Sequence, residues 1–257
     1  MDGRVKTLHP HVHMGLLARR HRPEDLEILQ KFKVSEIDLV VVNLYPFEET
    51  ARSGAAEPEL IEKIDIGGPS MLRSAAKNFA AVTVVCDPRD YSWVLDQRKD
   101  WTQEKRKKLA AKVFAHTSVY DSVISRALGF SEPEVFPFGG RLVQSLRYGE
   151  NPHQTAQWYE SPLETRGLSS ARVIQGKELS YNNLLDLDAA VALVKEFQEP
   201  TCVAVKHNNP CGVAVSKDLA EAVRLALAAD PVSVFGGIIA LNREVGLSEA
   251  QQLQALF

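Results

Sequence analysis

The sequence predicts an α/β protein of two domains, and three observations support this prediction. Short, almost continuously apolar runs recur along the 257 residues, as expected for strands that are covered on both faces. Amphipathic helical patterns lie between these runs, and such alternation is typical of α/β architecture. The segment 131–140 breaks every periodicity and contains two prolines and two glycines. We therefore expect a first domain at 1–140 and a second domain at 141–257.

The individual elements follow from these periodicities in chain order. The predicted strands are Ile37–Val42, Ala81–Cys86, Cys202–Val205 and Val234–Leu241. The predicted helices are Glu24–Phe32, Met71–Phe79, Thr102–Ser125, Leu184–Phe197 and Leu219–Ala228. In the longest helix, Leu109, Val113, His116 and Tyr120 are spaced by four, three and four residues, which places them on one face of an ordinary amphipathic helix. Asn182 and Asn183, just ahead of the fourth helix, are predicted to form a turn.

Composition restricts the class of function. A hydrophobic content of 45% is sufficient for a substantial core. The net charge of −3 excludes a broad basic surface for nucleic acid and gives no indication of a membrane-surface role. Without a signal peptide or a long apolar run, a soluble cytoplasmic protein is expected. Its three cysteines are expected to be reduced thiols, with Cys211 a small packing residue.

A lysine and a histidine directly follow the predicted strand that ends at Val205. Lys206 and His207 are followed by turn-favouring residues up to Gly212, and open α/β sheets bind ligands at such strand ends. An adjacent ammonium disfavours the imidazolium form, so His207 is a candidate general base. A Lys-His pair of this kind is also common on ordinary surfaces, but the turn that follows favours an active-site loop.

Two further groups of residues are candidates for phosphate or ring recognition. Arg4, Lys6 and Thr7 supply two cations and a hydroxyl, although a solvated strand end is an equally good interpretation. The glycine pair before Pro69 leads into a predicted helix whose N-terminus can bind an anion. Arg73 and Lys77 share one face of this helix, which is more often merely solvated. Arg147 and Tyr148 can hold a phosphate and stack on a ring, or can simply anchor a linker.

Short motifs along the whole chain resemble one family. They are Gly3–Pro10, Asn43–Phe47, Ile64–Gly68, Ala75–Asn78, Leu146–Gln154, Leu179–Asn183, Lys206–Gly212 and Ser233–Gly237. In this order they resemble the bifunctional AICAR transformylase/IMP cyclohydrolase family of purine biosynthesis. The resemblance implies part of a methylglyoxal-synthase-like cyclohydrolase domain with a mainly parallel sheet. The first part of a cytidine-deaminase-like transformylase domain is expected to follow it.

For the cyclohydrolase half, the resemblance implies closure of the purine ring of formyl-AICAR with loss of water. The family's proton-transferring lysine corresponds to Lys77. The substrate-contacting positions correspond to Arg4, Val5, Lys6, Thr7, Asn43, Leu44, Tyr45, Asp65 and Ile66.

For the transformylase half, the resemblance implies formyl transfer from 10-formyltetrahydrofolate to the 5-amino group of AICAR. His207 corresponds to the general base and Lys206 to the lysine that assists it. Arg147, Tyr148 and Gly236 correspond to contacts with the nucleotide. The resemblance implies a folate cosubstrate, no tightly bound cofactor or metal, and a homodimer with transformylase sites formed between subunits.

Two alternatives to the bifunctional enzyme are considered. His11 and His13 form the His-x-His pattern that amidohydrolases use for a catalytic metal, although no second cluster of ligands follows. Compared with the family, the chain begins inside the cyclohydrolase domain and stops within the transformylase domain. A fragment with little formyl transfer and weak cyclohydrolase activity is therefore a further expectation.

Overall fold

The computed structural model describes residues 6–97, 100–131, 134–163 and 167–256, and these form two compact units. The first unit contains the chain as far as Arg141 and a short segment that begins at Ser161. The second contains Leu142–Glu160 and the remainder of the chain. None of the described helices is both long and apolar enough to cross a membrane.

In the first unit, helices surround a short parallel sheet. Its elements are α1 (Pro10–Leu17), α2 (Pro23–Lys31), β1 (Leu39–Val41), α3 (Phe47–Arg52), α4 (Glu57–Glu62), α5 (Gly67–Lys77), β2 (Thr83–Val85), a 3₁₀ turn (Pro88–Asp90), α6 (Tyr91–Asp96) and α7 (Gln103–Ala127). β1 and β2 pair in parallel, with Val40 opposite Val84. The parallel pairing agrees with the expected cyclohydrolase architecture, although each strand is shorter than predicted.

The core of the first unit is formed where α5 and α7 pack against β2. Leu72, Val84 and Val113 contribute one fully buried side chain each from these three elements. Asn78 ends α5 and is also buried, with its amide donating to the carbonyls of Leu16 and Ala18. Since a buried amide needs such partners, Asn78 fixes the C-terminus of α5 relative to α1.

A cluster of charges lies where the chain leaves β2. The buried Asp87 carboxylate accepts hydrogen bonds from the side chain and amide of Arg89 and lies 2.8 Å from Lys112 Nζ. The Arg89 bond is the main reason that the pKa of Asp87 lies well below its usual range. His116 follows one turn after Lys112 on α7, and burial lowers the pKa of its imidazole.

Acidification is expected to reduce the free energy of unfolding in two stages. The pKa of His116 is lower in the folded than in the unfolded chain, so stability declines below about pH 6.5 as the unfolded state takes up the proton. The contribution of Asp87 is complete above about pH 4 and is lost as the pH falls towards its folded pKa. Urea unfolding of wild type, His116→Gln and Asp87→Asn across this range measures both stages. Identical slopes for wild type and His116→Gln between about pH 5 and pH 6.5 would contradict the first stage.

The second unit contains a strand pair and a three-stranded antiparallel sheet. Its elements are β3 (Arg141–Ser145), β4 (Gln157–Glu160), a 3₁₀ turn (Leu168–Ser170), α8 (Tyr181–Val194), β5 (Thr201–Lys206), β6 (Asn209–Val215), α9 (Leu219–Ala229), β7 (Ile238–Leu241) and α10 (Leu247–Gln254). β5 is central, between β6 and β7, and both neighbours are antiparallel to it.

The apolar run of β5 is explained by helices on both faces of this sheet. Val203 and Val205 face α8, whereas Cys202 faces α9. All three side chains are fully buried. Because side chains alternate across a strand, two covering helices require an unbroken apolar sequence even in an antiparallel sheet. The three cysteines of the chain are free thiols, as expected.

The structure corrects four details of the predicted elements. Asn209–Gly212 do not form a loop, because β6 begins at Asn209 and pairs with β5. The strand predicted at Val234–Leu241 begins only at Ile238, since the Asp230 carboxylate accepts amide hydrogen bonds that form a turn after α9. Asn182 and Asn183 lie in the first turn of α8, because Ser180 caps this helix. The strand that leads into Lys206 belongs to an antiparallel sheet, so the rule for parallel strand ends does not apply there.

Candidate active sites

Segments that are distant in the sequence meet at the N-terminus of α5. A side chain at Gly67 would begin 3.4 Å from the amide nitrogen of Thr7 and 3.8 Å from Lys6 Cβ, so residues 6–7 lie against the first helical turn. Lys6 Nζ is 5.2 Å from the centroid of the Tyr45 ring. This distance is typical of a cation–π contact and connects Lys6 to the segment that follows β1.

Asp65 also contacts the first turn of α5. Its Oδ1 accepts a hydrogen bond of 2.8 Å from the amide of Gly68. A Cβ at Gly68 would lie 2.9 Å from Leu44 Cδ2 and 2.5 Å from Asp65 Oδ2. The glycine is therefore needed so that Asp65 and Leu44 can both approach the helix, and we call Lys6, Thr7, Leu44, Tyr45 and Asp65 the α5 cluster.

The substitution Gly68→Ala is expected to destabilise the first unit by about 1–3 kcal/mol, as overpacking does in a well-packed region. Gly67→Ala is the matched control, since its Cβ would make only ordinary contacts. We expect the control to be neutral or slightly stabilising because alanine favours helix more than glycine does. Chemical denaturation of both variants measures the difference, and equal effects would contradict the steric argument.

The other predicted residues of the first site are neighbours in sequence of the α5 cluster or lie outside the residues that the structure describes. Asn43 is exposed and exchanges hydrogen bonds with the hydroxyl of Tyr91, at 3.0 and 3.2 Å. Ile66 is also exposed. Arg4 and Val5 lie outside the described residues.

Lys77 lies at the opposite end of α5 from the α5 cluster. The helix has eleven residues, so about 15 Å separates the Cα atoms of Gly67 and Lys77. The Lys77 side chain is exposed, while Arg73 on the same face lies over the Phe114 ring at 5.5 Å. A substrate must therefore extend along α5 to contact both Lys77 and the α5 cluster.

In the second unit, Lys206 and His207 lie at a tight hairpin turn. Lys206 pairs with Asn209, and the two residues between them have φ values of +53° at His207 and +61° at Asn208. Positive φ at both central positions defines a type I′ turn, which occurs mostly with Asn and Gly because a side chain is strained there. The turn presents the imidazole of His207 to solvent.

Two side chains support this strained turn. Asp186 Oδ1, on α8, accepts a hydrogen bond of 2.7 Å from the amide of Asn208. Asn209 Nδ2 donates to the carbonyl of His207 at 2.8 Å. The position of His207 is thus determined by α8 as well as by the hairpin.

The turn before β7 lies against the same end of β5. Lys206 Nζ donates to the carbonyl of Phe235 at 2.9 Å. Gly236 has φ +75°, a value that favours glycine, and a side chain at Gly237 would clash with the carbonyl of Val205. Gly236 is therefore brought beside Lys206, as a common site requires.

Arg147 and Tyr148 are connected to the same helix. The Arg147 guanidinium donates to Asn183 Oδ1 at 3.2 Å and lies 5.3 Å from the Tyr148 ring centroid. Asn183 also completes a reciprocal capping box with Ser180 at the start of α8. We call Arg147, Tyr148, Lys206, His207 and Gly236 the α8 cluster.

Sequence reasoning missed the two α8 residues that organise this second site. Asn183 contacts Arg147, and Asp186, one turn later, contacts the amide of Asn208. The spacing Ser180-x-x-Asn183 resembles a capping box and indicates the start of a helix. No local pattern indicates the role of Asp186, since its partner lies 22 residues further along the chain.

The amidohydrolase alternative finds no support in the arrangement of the histidines. His13 Nδ1 is 3.0 Å from Ser74 Oγ, whereas the His9 ring accepts the amide of His11. Within the described ranges, no group of three His, Cys, Asp or Glu side chains is placed to hold a metal ion.

Two family models agree with the motif resemblance. The family model described as AICARFT/IMPCHase bienzyme matches residues 75–257, and the model of the MGS-like domain matches residues 1–70. A crystal-structure chain described as ForH is 37% identical, with a TM-score of 0.42, over 50% of this chain and 68% of that chain.

Curated relatives named bifunctional purine biosynthesis protein PurH match over the whole chain. The relative from Persephonella marina is 53% identical over 268 residues, and that from Bacillus subtilis is 52% identical over 266 residues. The alignments cover 100% of this chain and 52% of each relative, so the chain spans about half their length. Since the family model matches residues 75–257, well over half of the sequence, the chain belongs to the AICARFT/IMPCHase bienzyme family.

Proposed function

We propose that this chain contributes to the last two steps of IMP biosynthesis, with one step at each cluster. The α8 cluster serves formyl transfer from 10-formyltetrahydrofolate to AICAR, and the α5 cluster serves closure of formyl-AICAR to IMP. The observation that carries this proposal is the placement of Lys206, His207 and Gly236 at one end of β5. The names and family models of the relatives support the same assignment.

In formyl transfer, the 5-amino nitrogen of AICAR attacks the formyl carbon and tetrahydrofolate leaves. The amine is a weak nucleophile, so its proton must be removed as the new bond forms. His207 is exposed at the tip of the hairpin and can accept this proton. Lys206 stabilises the charge that develops, after exchanging its contact with the Phe235 carbonyl for one with the substrate.

Arg147 and Tyr148 bind the nucleotide in this step. The guanidinium can pair with the phosphate, while its bond to Asn183 fixes its direction. Gly236 allows the nucleotide to approach the backbone, because a side chain there would obstruct it.

In ring closure, the carboxamide nitrogen attacks the formyl carbon and water is lost. The reaction needs a donor for the oxygen that becomes negatively charged and a group that moves protons. Tyr45 supplies a phenol as the donor, Lys6 contacts its ring and binds the substrate, and Asp65 supplies a carboxylate. Arg4, Val5, Thr7, Asn43, Leu44 and Ile66 complete the substrate contacts, and Lys77 is the proton-transferring residue implied by the family.

The remaining assignments are proposals from the same resemblance. The domain boundary lies at 140/141, folate acts as a cosubstrate, and the partner is a second copy of the chain. A cytoplasmic location suits free thiols and these substrates.

The proposed function is tested with a hybrid enzyme in which these 257 residues replace the matched 266-residue segment of the Bacillus subtilis relative. The hybrid is expected to convert AICAR and 10-formyltetrahydrofolate into IMP, and to convert supplied formyl-AICAR into IMP. A folded hybrid that performs neither reaction would contradict the proposal. The unmodified relative is the positive control.

A further inference from the structure

Tyr120, on α7, contacts the two chain segments that carry Asp65 and Tyr45 of the α5 cluster. The family resemblance does not assign Tyr120 to a site. Its hydroxyl oxygen accepts a hydrogen bond of 2.8 Å from the amide of Asp65. The same hydroxyl donates to the carbonyl of Lys63 at 2.9 Å. One side chain therefore holds the backbone on both sides of Ile64.

The ring of Tyr120 contacts the other segment. It packs edge-on against Phe47, with ring centroids 6.3 Å apart. Phe47 is only 1% exposed and follows Tyr45 by two residues, so its burial anchors the chain that carries Tyr45. Such edge-to-face aromatic pairs have a defined geometry and resist sliding.

The position of Asp65 depends on contacts at both of its ends. Its amide is held by Tyr120, and its carboxylate is held by the amide of Gly68. The phenol of Tyr120 is protonated at neutral pH and can donate to Lys63, and burial raises its pKa further. Removing the hydroxyl would leave the Asp65 amide without this acceptor and would free the segment ahead of α5.

We propose that Tyr120 is a positioning residue of the cyclohydrolase site, which fixes Asp65 through its hydroxyl and the Tyr45 segment through its ring. This inference rests on the proposed function of the α5 cluster. Small displacements of groups that orient a substrate cause large losses of rate, so the hydroxyl should matter for ring closure without contacting the substrate.

The test is Tyr120→Phe, which retains the ring and its contact with Phe47. Tyr159→Phe is the matched control, because Tyr159 is exposed in the second unit and its hydroxyl contacts only Gln157 among the described residues. In the 257-residue chain, hydrogen exchange of the Asp65 amide is expected to accelerate about tenfold, as the loss of one hydrogen bond predicts. In the hybrid enzyme, kcat/KM for formyl-AICAR is expected to fall at least about tenfold, with formyl transfer unchanged.

The formyl-transfer activity of the same hybrid enzyme distinguishes a positioning role of Tyr120 in cyclisation from a general loss of structure. Parallel losses of both activities in Tyr120→Phe would overturn the positioning role, as would cyclisation within about twofold of wild type. If the unsubstituted hybrid lacks cyclisation activity, the proposed function fails, and the role of Tyr120 is then tested by hydrogen exchange of the Asp65 amide alone. Unchanged exchange of that amide would then overturn the inference.

Discussion

Replacing His207 by alanine in the hybrid enzyme is expected to abolish formyl transfer while cyclisation of supplied formyl-AICAR continues. The imidazole is the proposed general base of the α8 cluster, and general-base catalysis contributes about 10²–10⁴-fold to rate. The substitution removes no buried contact, because the side chain is exposed. A lower kcat with little change in KM for AICAR is the expected kinetic signature.

His21→Ala is the control for this prediction, since His21 is exposed in the first unit and belongs to neither cluster. The substitution is not expected to relieve the strained turn, because alanine at φ +53° is no less strained than histidine, and the hairpin should therefore persist. Hydrogen exchange of the Asn208 amide measures whether its hydrogen bond to Asp186 is retained. Formyl transfer within tenfold of wild type would remove His207 from the mechanism.

The two lysines of the first site are expected to differ in the way that they affect cyclisation. Lys77→Ala should lower kcat by about 10²–10⁴-fold if Lys77 transfers the proton. Lys6→Ala should mainly raise KM for formyl-AICAR, because Lys6 lies in the α5 cluster beside Tyr45. Formyl transfer should be unaffected in both variants.

Arg73→Ala is the comparison for Lys77→Ala, because the two side chains lie four residues apart on the same exposed face of α5. The distance of about 15 Å along α5 makes the Lys77 result informative. If Lys77→Ala keeps kcat within twofold while Lys6→Ala loses it, proton transfer belongs to the α5 cluster and not to Lys77.

The sequence was sufficient to predict the elements whose burial follows a regular pattern along the chain. α7 repeats a buried face along its length and β5 is buried on both faces, so the periodicity of each sequence indicated the element. The hairpin after Lys206 was not predicted, since the His-Asn turn lacks the usual glycine and depends on Asp186 for support. Local sequence does not encode such a distant partner.

For the candidate sites too, the sequence predicted individual residues but not the contacts between distant segments. The motifs identified Asp65, Tyr45 and Lys6 as separate residues, and the fold brought them to one end of α5. Tyr120 and Asp186 were missed because each acts through a backbone amide on another element. Periodicity placed Tyr120 on an ordinary helix face, and only the folded chain gives its hydroxyl a partner.

The central claim, that the two reactions occur at separate clusters, is tested most directly by mixing two inactive variants of the hybrid enzyme. His207→Ala retains the α5 cluster, and the double variant Lys6→Ala/Lys77→Ala retains the α8 cluster. Each variant alone is expected to make no IMP from AICAR and 10-formyltetrahydrofolate. The mixture should make IMP, because formyl-AICAR released by the double variant is closed by the His207→Ala variant. IMP formation no greater than the sum of the separate variants, with formyl-AICAR present in the mixture, would contradict the account.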